Sequence, residues 1–182
     1  MKYVIYRIYY DMTDIKVNAK LLALVSVLLC LTSCSRPEHV DVLVVGGGAS
    51  GVSAGVQAAR MGVPTMIVEE TPWIGGMLTA AGVSCIDGNY KLQSGLFGEF
   101  ADSLARRYGS WEALQTGWVS YINFEPHVGQ EVLTAIADSC GDLLDVRRET
   151  VMESIRKDGE VWKVLLRASD GRRYVVTADV LI

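Results

Sequence analysis

The stretch DVLVVGGGASGVSAGVQAARMG (Asp41–Gly62) decides the fold that the sequence predicts. Its apolar residues Val42–Val45 do not alternate with polar ones, which indicates a strand buried on both faces, as in a parallel sheet. The segment after the glycines predicts a helix in which Gly51, Gly55 and Ala59 share one face. Because small residues let two backbones approach closely, we expect this face to lie against the sheet.

A second strand follows this helix after a short turn. Gly62 suits a helix C-terminus and Pro64 cannot continue a helix, so the helix is expected to stop there. The segment TMIVE (Thr65–Glu69) predicts a second buried strand. A strand, a helix and a strand in this order form a βαβ unit, whose crossover is right-handed by default.

The glycines between the first strand and the helix have the spacing of a dinucleotide-binding turn. Gly46, Gly48 and Gly51 form the pattern G-x-G-x-x-G. The first glycine permits the tight turn, the second leaves room for a pyrophosphate, and the third lets the helix pack closely. The N–H groups of Ala49, Ser50 and Gly51 open the helix, where the positive end of its dipole attracts phosphate.

An acidic residue stands where such a site needs one. Residues 52–68, which number 17, separate Gly51 from Glu69 and place its carboxylate at the end of the second strand. There it is expected to accept hydrogen bonds from the hydroxyl groups of an adenosine ribose. Glu70 takes this role if the strand register differs by one residue. The sequence therefore predicts that this segment binds a dinucleotide, either FAD or NAD.

The C-terminal third departs from the alternation of strands and helices. Glu125–Cys140 predicts a helix, and LLDVRRE after it predicts a third parallel strand. TVMESIRKDG, EVWKVLLRASDG and RRYVVTADVLI then predict short strands joined by turns at Asp158–Gly159 and Asp170–Gly171. This inserted β-meander, the second glycine pair at Gly75–Gly76 and the export signal described below favour FAD over NAD.

Residues 41–182 resemble the N-terminal part of bacterial FAD-dependent oxidoreductases of the glutathione-reductase-like type, which have two dinucleotide-binding domains. The GGM segment soon after the acid is typical of one group among them. The resemblance implies an α/β, Rossmann-like FAD-binding domain with a parallel sheet and an inserted β-meander. It also implies that Gly75 and Gly76 line the pyrophosphate or the flavin ribose, and that the backbone near Val151 lies against the adenine.

The N-terminal residues are expected to lie outside this domain. The run LLALVSVLLCL (Leu21–Leu31) is apolar apart from one serine and follows Lys16 and Lys20. It is much shorter than the roughly 20 residues that span a bilayer. A short apolar run behind basic residues indicates a secretory signal, for which Met12 is an alternative start.

The end of this run carries a second signal. LTSC resembles a bacterial lipobox, which implies that Cys34 is lipidated and becomes the new N-terminus. Residues 1–33 would then form the signal peptide, and residues 34–40 a polar tether before the domain at 41–182. The sequence thus predicts an exported protein that a lipid anchors to a bacterial membrane.

Composition argues against two other classes of site. The net charge of −4 gives no support for nucleic-acid binding, which favours a basic surface. The cysteines are not spaced as in zinc or iron–sulfur sites, so no metal site is predicted. The sequence does not decide whether Cys85 and Cys140 form a disulfide after export.

No catalytic residue can be identified, because no nucleophile–base pair or pair of carboxylates stands at a spacing that defines its geometry. SGLFGEFADSLARRYG (Ser94–Gly109) has apolar residues at helical spacing and predicts a core helix. Trp111, Trp118 and Tyr121 suit a sugar-binding platform, although ordinary aromatic packing is the preferred interpretation. The substrate, a small molecule or a saccharide, and the oligomeric state are therefore not predicted.

The last residues, ADVLI (Ala178–Ile182), predict a buried strand that enters the nucleotide-binding sheet. In the family that the chain resembles, this strand continues into an acidic, glycine-containing turn that closes around the flavin, so the domain is expected to be incomplete. The leading hypothesis is the FAD-binding part of an exported oxidoreductase that takes a hydride from its substrate. A non-catalytic anchored remnant or binding module is one alternative. The other alternative is a polysaccharide lyase, because some proteins of this appearance carry that label (xanthan lyase).

Overall fold

The computed structural model describes residues 37–87 and 91–182, and Pro37–Ile182 form one compact unit. The predicted signal peptide and Cys34 lie outside the described residues. The α-helices are α1 (Ala49–Arg60), α2 (Gly95–Tyr108) and α3 (Pro126–Asp138). The strands are β1 (Glu38–Val45), β2 (Thr65–Val68), β3 (Cys85–Ile86), β4 (Ile122–Asn123), β5 (Leu144–Arg147), β6 (Thr150–Asp158), β7 (Val161–Ala168) and β8 (Arg173–Leu181).

A six-stranded sheet with the order β5-β2-β1-β8-β7-β6 forms the centre of the fold. The pairs β5–β2, β2–β1 and β1–β8 are parallel, whereas β8–β7 and β7–β6 are antiparallel. The predicted α/β fold with a parallel sheet and an inserted meander is therefore confirmed. The short strands β3 and β4, which the sequence did not predict, pair separately.

The first strand begins at Glu38, three residues before the predicted start of the domain at Asp41. Glu38 and His39, assigned to the tether from their polar character, pair in register with Val176 and Thr177 of β8. A strand that takes its partner from a distant part of the chain needs no local apolar pattern at its end. The predicted tether thus overlaps β1.

Small residues bring α1 into close contact with the sheet, as predicted. A Cβ atom added to Gly51 would lie 1.9 Å from the carbonyl oxygen of Gly46, and one added to Gly55 would lie 2.6 Å from Cδ1 of Ile67. Both distances are under 3.0 Å, which Cβ atoms in proteins essentially never show. The helix ends at Arg60, and Gly62 follows it with a φ of +85°. Glycine at these positions therefore sets how near the helix lies to β1 and β2.

Two clusters of buried side chains cover the two faces of the sheet. The larger one joins β1 and β2 to the three helices and includes Val56, Phe100 and Ile136. The smaller one joins Leu43 and Met66 of the parallel strands to β7 and β8. Because β2, β1, β8 and β7 are consecutive in the sheet, this smaller cluster runs across the middle of the sheet.

Other predicted features have mixed outcomes. The core helix at 94–109 is confirmed as α2, with Phe100 and Leu104 buried. The prediction that Trp111, Trp118 and Tyr121 form one aromatic packing cluster is wrong. Trp111 packs partly against the larger core, whereas Trp118 is 99% exposed. Cys85 and Cys140 are both free thiols.

None of the helices within the described residues has the length and apolar character that crossing a membrane requires.

We expect Gly51→Ala to destabilise the domain. The added methyl group would overlap the Gly46 carbonyl, so helix and turn must move apart. Overpacking of this kind costs about 1–3 kcal/mol. Urea denaturation followed by circular dichroism measures the loss. The exposed Gln57→Ala on the same helix is the control and should change the free energy of unfolding by less than about 0.5 kcal/mol. Equal stability of Gly51→Ala and wild type would refute the packing argument.

Candidate functional site

The turn between β1 and α1 adopts a conformation that only glycine accepts easily. Gly46 has a φ of +110°, a region that side chains disfavour, and its N–H donates to the carbonyl of Val68 at 2.8 Å. A Cβ atom on Gly48 would have no neighbouring atom within 4 Å, so this residue faces open space. The three glycines of the motif thus have separate tasks: Gly46 turns the chain, Gly48 leaves a space, and Gly51 packs.

Glu69 follows β2 directly and is only 7% exposed. One carboxylate oxygen accepts the N–H of Gly47 at 2.7 Å, and the other accepts the N–H of Thr71 at 2.8 Å. Each carboxylate oxygen has two lone pairs, so both retain the capacity to accept a further donor. The predicted register is correct, because Glu70 is exposed.

The second glycine pair lies against the first glycine turn. The N–H of Gly75 donates to the carbonyl of Gly47 at 2.7 Å, and Gly75 and Gly48 form a parallel bridge. The φ angles of Gly75 and Gly76 are +109° and +54°. A Cβ on Gly76 would lie 3.0 Å from the Cα of Gly48, so two stretches of bare backbone stand side by side.

An open pocket of about 270 Å³ lies beside the glycine turn. The N–H of Thr150 donates to the carbonyl of Glu69 at 2.9 Å, and this bond brings the start of β6, including Val151, to the pocket. The pocket is smaller than the roughly 300–1,000 Å³ of drug-sized ligand sites, and suits one part of a dinucleotide. Its lining consists of Val45, Gly46, Val68, Glu69, Glu70, Thr150, Val151 and Met152.

The N-terminus of α1 is available to an anion. Gly48 precedes the helix with extended backbone and without a side-chain cap, and the first turn contains no acidic residue. The N–H groups at the start of a helix have no partner within the helix, so they can bind phosphate oxygens. Ser50 is exposed, whereas the side chain of Ala49 lines a separate apolar cavity of about 160 Å³. Ala49 can therefore contact a phosphate only through its backbone.

The predicted site residues come together around one region that fits an adenine dinucleotide. Bare backbone and helix N–H groups suit a pyrophosphate, the carboxylate of Glu69 suits ribose hydroxyl groups, and the pocket at Val151 suits a purine. Among the residues that the structure describes, no lysine or arginine lines this pocket. The carboxylate of Glu69 has no basic side chain beside it in the pocket and would repel the 2′-phosphate that NADP carries on its ribose, so the pocket disfavours NADP.

Three contributions escaped the sequence analysis. Gly47 is the central residue of the motif, yet its N–H holds Glu69, and its Cβ would lie 2.9 Å from the Glu69 Cβ. Thr71 and Thr150 hold Glu69 through backbone N–H groups. Of these three residues only Gly47 gave a signal in the sequence, as the middle one of three consecutive glycines, because backbone donors give none.

Glu69→Gln should lower the stability of the domain. The amide has one acceptor oxygen, so its NH₂ group would face a backbone N–H that Glu69 now satisfies. Loss of a hydrogen bond to a charged group costs about 1.5–3 kcal/mol. Thermal and urea unfolding would measure it, with the exposed Glu70→Gln as the matched control, expected within about 0.5 kcal/mol of wild type. Equal losses in both variants would contradict this account of Glu69.

Several known proteins are similar to this chain. Dihydrolipoyl dehydrogenase from Manduca sexta is 26% identical over 151 residues, which is 81% of this chain and 29% of that protein. The structure of bacillithiol disulfide reductase Bdr from Bacillus cereus covers 79% of this chain and 39% of its own, with 15% identity and a TM-score of 0.53. The flavin-dependent monooxygenase PieE, solved in complex with FAD and substrate, covers 80% of this chain and 30% of its own, with 19% identity and a TM-score of 0.50.

The curated relatives are much longer than this chain, which covers between 5% and 29% of their length. The likeness to the solved structures shows the fold, a Rossmann-like FAD-binding domain. The sequence model of the family described as FAD dependent oxidoreductase matches residues 41–182. With the geometry of the glycine turn, Glu69 and the pocket, this match shows that the chain belongs to the FAD dependent oxidoreductase family and that FAD is its cofactor.

Proposed function

We propose that this chain holds the adenosine and pyrophosphate part of FAD in a protein that transfers a hydride from a small-molecule substrate to the flavin. The observation that carries the proposal is the contact between Gly47 and Glu69, which joins a phosphate-binding turn to a ribose-binding acid. A glycine turn alone is common, but a glycine turn bonded to a buried acid beside an open pocket is specific.

Each part of the cofactor has a proposed place. Gly48, Gly76 and the N–H groups that open α1 would hold the pyrophosphate. Glu69 retains lone pairs and would accept the hydroxyl groups of the adenosine ribose. The pocket of about 270 Å³, with the backbone of Val151, would hold the adenine.

The described residues bind and orient the cofactor, and the chemistry is the cofactor's own. Bound FAD supplies a hydride acceptor. Glu69 and Glu70 are the titratable residues that line the pocket, and both lie where the adenosine end is proposed. The substrate and its catalytic residues are therefore not assigned to this pocket.

The protein is proposed to act outside the cytoplasm. The apolar run with its basic flank and the LTSC sequence support export and lipidation at Cys34. A tightly held flavin suits this location, where free nicotinamide dinucleotides are scarce. The comparisons favour neither the polysaccharide lyase nor the non-catalytic module.

Gly48→Ala should separate binding from stability. The added methyl group meets no protein atom within 4 Å, so the free energy of unfolding should change by less than about 1 kcal/mol. The same methyl group enters the space proposed for the pyrophosphate and should weaken FAD and ADP binding at least about tenfold, or about 1.4 kcal/mol. Calorimetric titration of the full chain with each ligand measures both affinities.

FMN is the matched ligand for this titration, because it lacks the adenosine part. It should bind more weakly than FAD, and Gly48→Ala should affect it less. Equal affinity for FMN and FAD, unchanged affinity of Gly48→Ala for FAD, or a protein that takes up no FAD would contradict the proposal.

Cys34→Ser tests the anchor. Lipidation requires the thiol, so the variant should remain unprocessed or lose its membrane association when cells are fractionated. Mass spectrometry of the mature wild-type protein should find a lipid-modified Cys34 as the first residue. Any other mature N-terminus rejects the anchor and leaves the FAD site unaffected.

A further inference from the structure

Far from the glycine turn, at the amino end of β1, three potential metal ligands meet on adjacent strands. His39 and Asp41 lie two residues apart on β1, and Asp179 lies on β8. Val40 pairs with Ala178 and Val42 with Val180, so the parallel register places Asp41 beside Asp179. One ligand atom from each side chain lies within 4.8 Å of the others. The rigid backbone of a strand pair thus fixes the spacing of an imidazole and two carboxylates.

A hydrogen bond to Thr177 orients the ring of His39. The Thr177 hydroxyl lies 3.2 Å from the carbonyl oxygen of Glu38 and 3.1 Å from Nδ1 of His39. This contact at Nδ1 leaves Nε2 as the ring nitrogen that is placed to bind a metal ion. A histidine held through its other nitrogen is the usual arrangement of a metal ligand.

Nε2 faces negative charge. It lies 3.7 Å from a carboxylate oxygen of Asp179, and both side chains are about half exposed, at 48% and 57%. Within the described part of the chain, neither Asp41 nor Asp179 forms an ion pair with a lysine or arginine. Two carboxylates that lie side by side without a basic partner repel each other, and a bound cation would offset this repulsion.

We propose that His39, Asp41 and Asp179 bind a divalent transition-metal ion, of which Zn²⁺ is the representative. Zinc–ligand bonds of about 2.0–2.2 Å in a tetrahedron place the ligand atoms roughly 3.3–3.6 Å apart, close to the spacing of Nε2 and the Asp179 carboxylate. One imidazole and two carboxylates suit Zn²⁺ better than Mg²⁺ or Ca²⁺, which prefer oxygen ligands. Small rotations of exposed side chains complete the set, with water as the fourth ligand.

This metal ion would join β1 to β8 rather than take part in the flavin chemistry. Asp41 lies in the amino-terminal half of β1, whereas Gly46 follows its carboxyl end. The five residue steps from Asp41 to Gly46 correspond to roughly 16 Å of strand. The ion would stabilise the pairing of the two strands, since a ligand that binds only the folded state opposes unfolding. The site is therefore independent of the proposed function.

Titration of the full chain with Zn²⁺, by calorimetry, tests the site. Co²⁺ absorption reports the kind of ligand. Wild type should bind one Zn²⁺, and His39→Gln and Asp179→Asn should each bind it at least about tenfold more weakly. Thr177→Val keeps all three ligands but removes the group that orients His39, so a weaker affinity there supports the assignment. The chain contains one other histidine, and His127→Gln should bind Zn²⁺ as wild type does.

Each variant retains the four cysteines, so metal bound by thiols contributes equally to all of them. Circular dichroism without metal checks that each variant is folded, and FAD affinity should be the same in all. Two results would overturn the proposal. One is the same Zn²⁺ affinity in wild type, His39→Gln and Asp179→Asn. The other is no binding by wild type at millimolar Zn²⁺.

Discussion

The hydrogen bonds of Glu69 connect the parts of this domain that form its site. Its carboxylate accepts the N–H groups of Gly47 and Thr71, while its own backbone bonds to Arg147 and Thr150. One residue therefore joins the glycine turn, the end of β2, the edge strand β5 and the start of β6. Because the side chain is buried, these bonds act in a medium of low dielectric constant, where they are stronger than in water. A structural role and a proposed binding role thus coincide in the same carboxylate, whereas a side chain added at Gly48 would meet only open space.

Much of the site could be predicted because its determinants are local in sequence. The apolar run before Gly46, the four-residue spacing of Gly51 and Gly55 and the distance to Glu69 each express a steric requirement of a single βαβ unit. The two Asp-Gly turns of the meander are equally local, and both glycines have positive φ angles. Where a short segment must bend or pack in one way only, its residues record that constraint.

The remaining features depend on partners that are distant in the chain. Glu38 and His39 have the composition of a tether, and only their pairing with β8, 138 residues away, makes them a strand. The same pairing brings Asp179 to His39, so no spacing in the sequence indicates this cluster. Trp118 is large and aromatic, which predicts burial, yet the fold leaves it exposed. Backbone donors to Glu69, such as Thr71, carry no side-chain signal at all.

The position of β8 between the meander and the parallel strands has a consequence for biosynthesis. Residues 173–178 of β8 pair with β7 and residues 176–181 pair with β1, so the central sheet cannot close until β8 has been made. At roughly 5–20 residues per second, β1 leaves the ribosome roughly 7–28 s before its partner. During this interval one edge of an apolar strand is unpaired, and such edges bind strands of other chains. Until β8 has been made, the edge of β1 that it covers in the folded domain is therefore open to a strand from elsewhere.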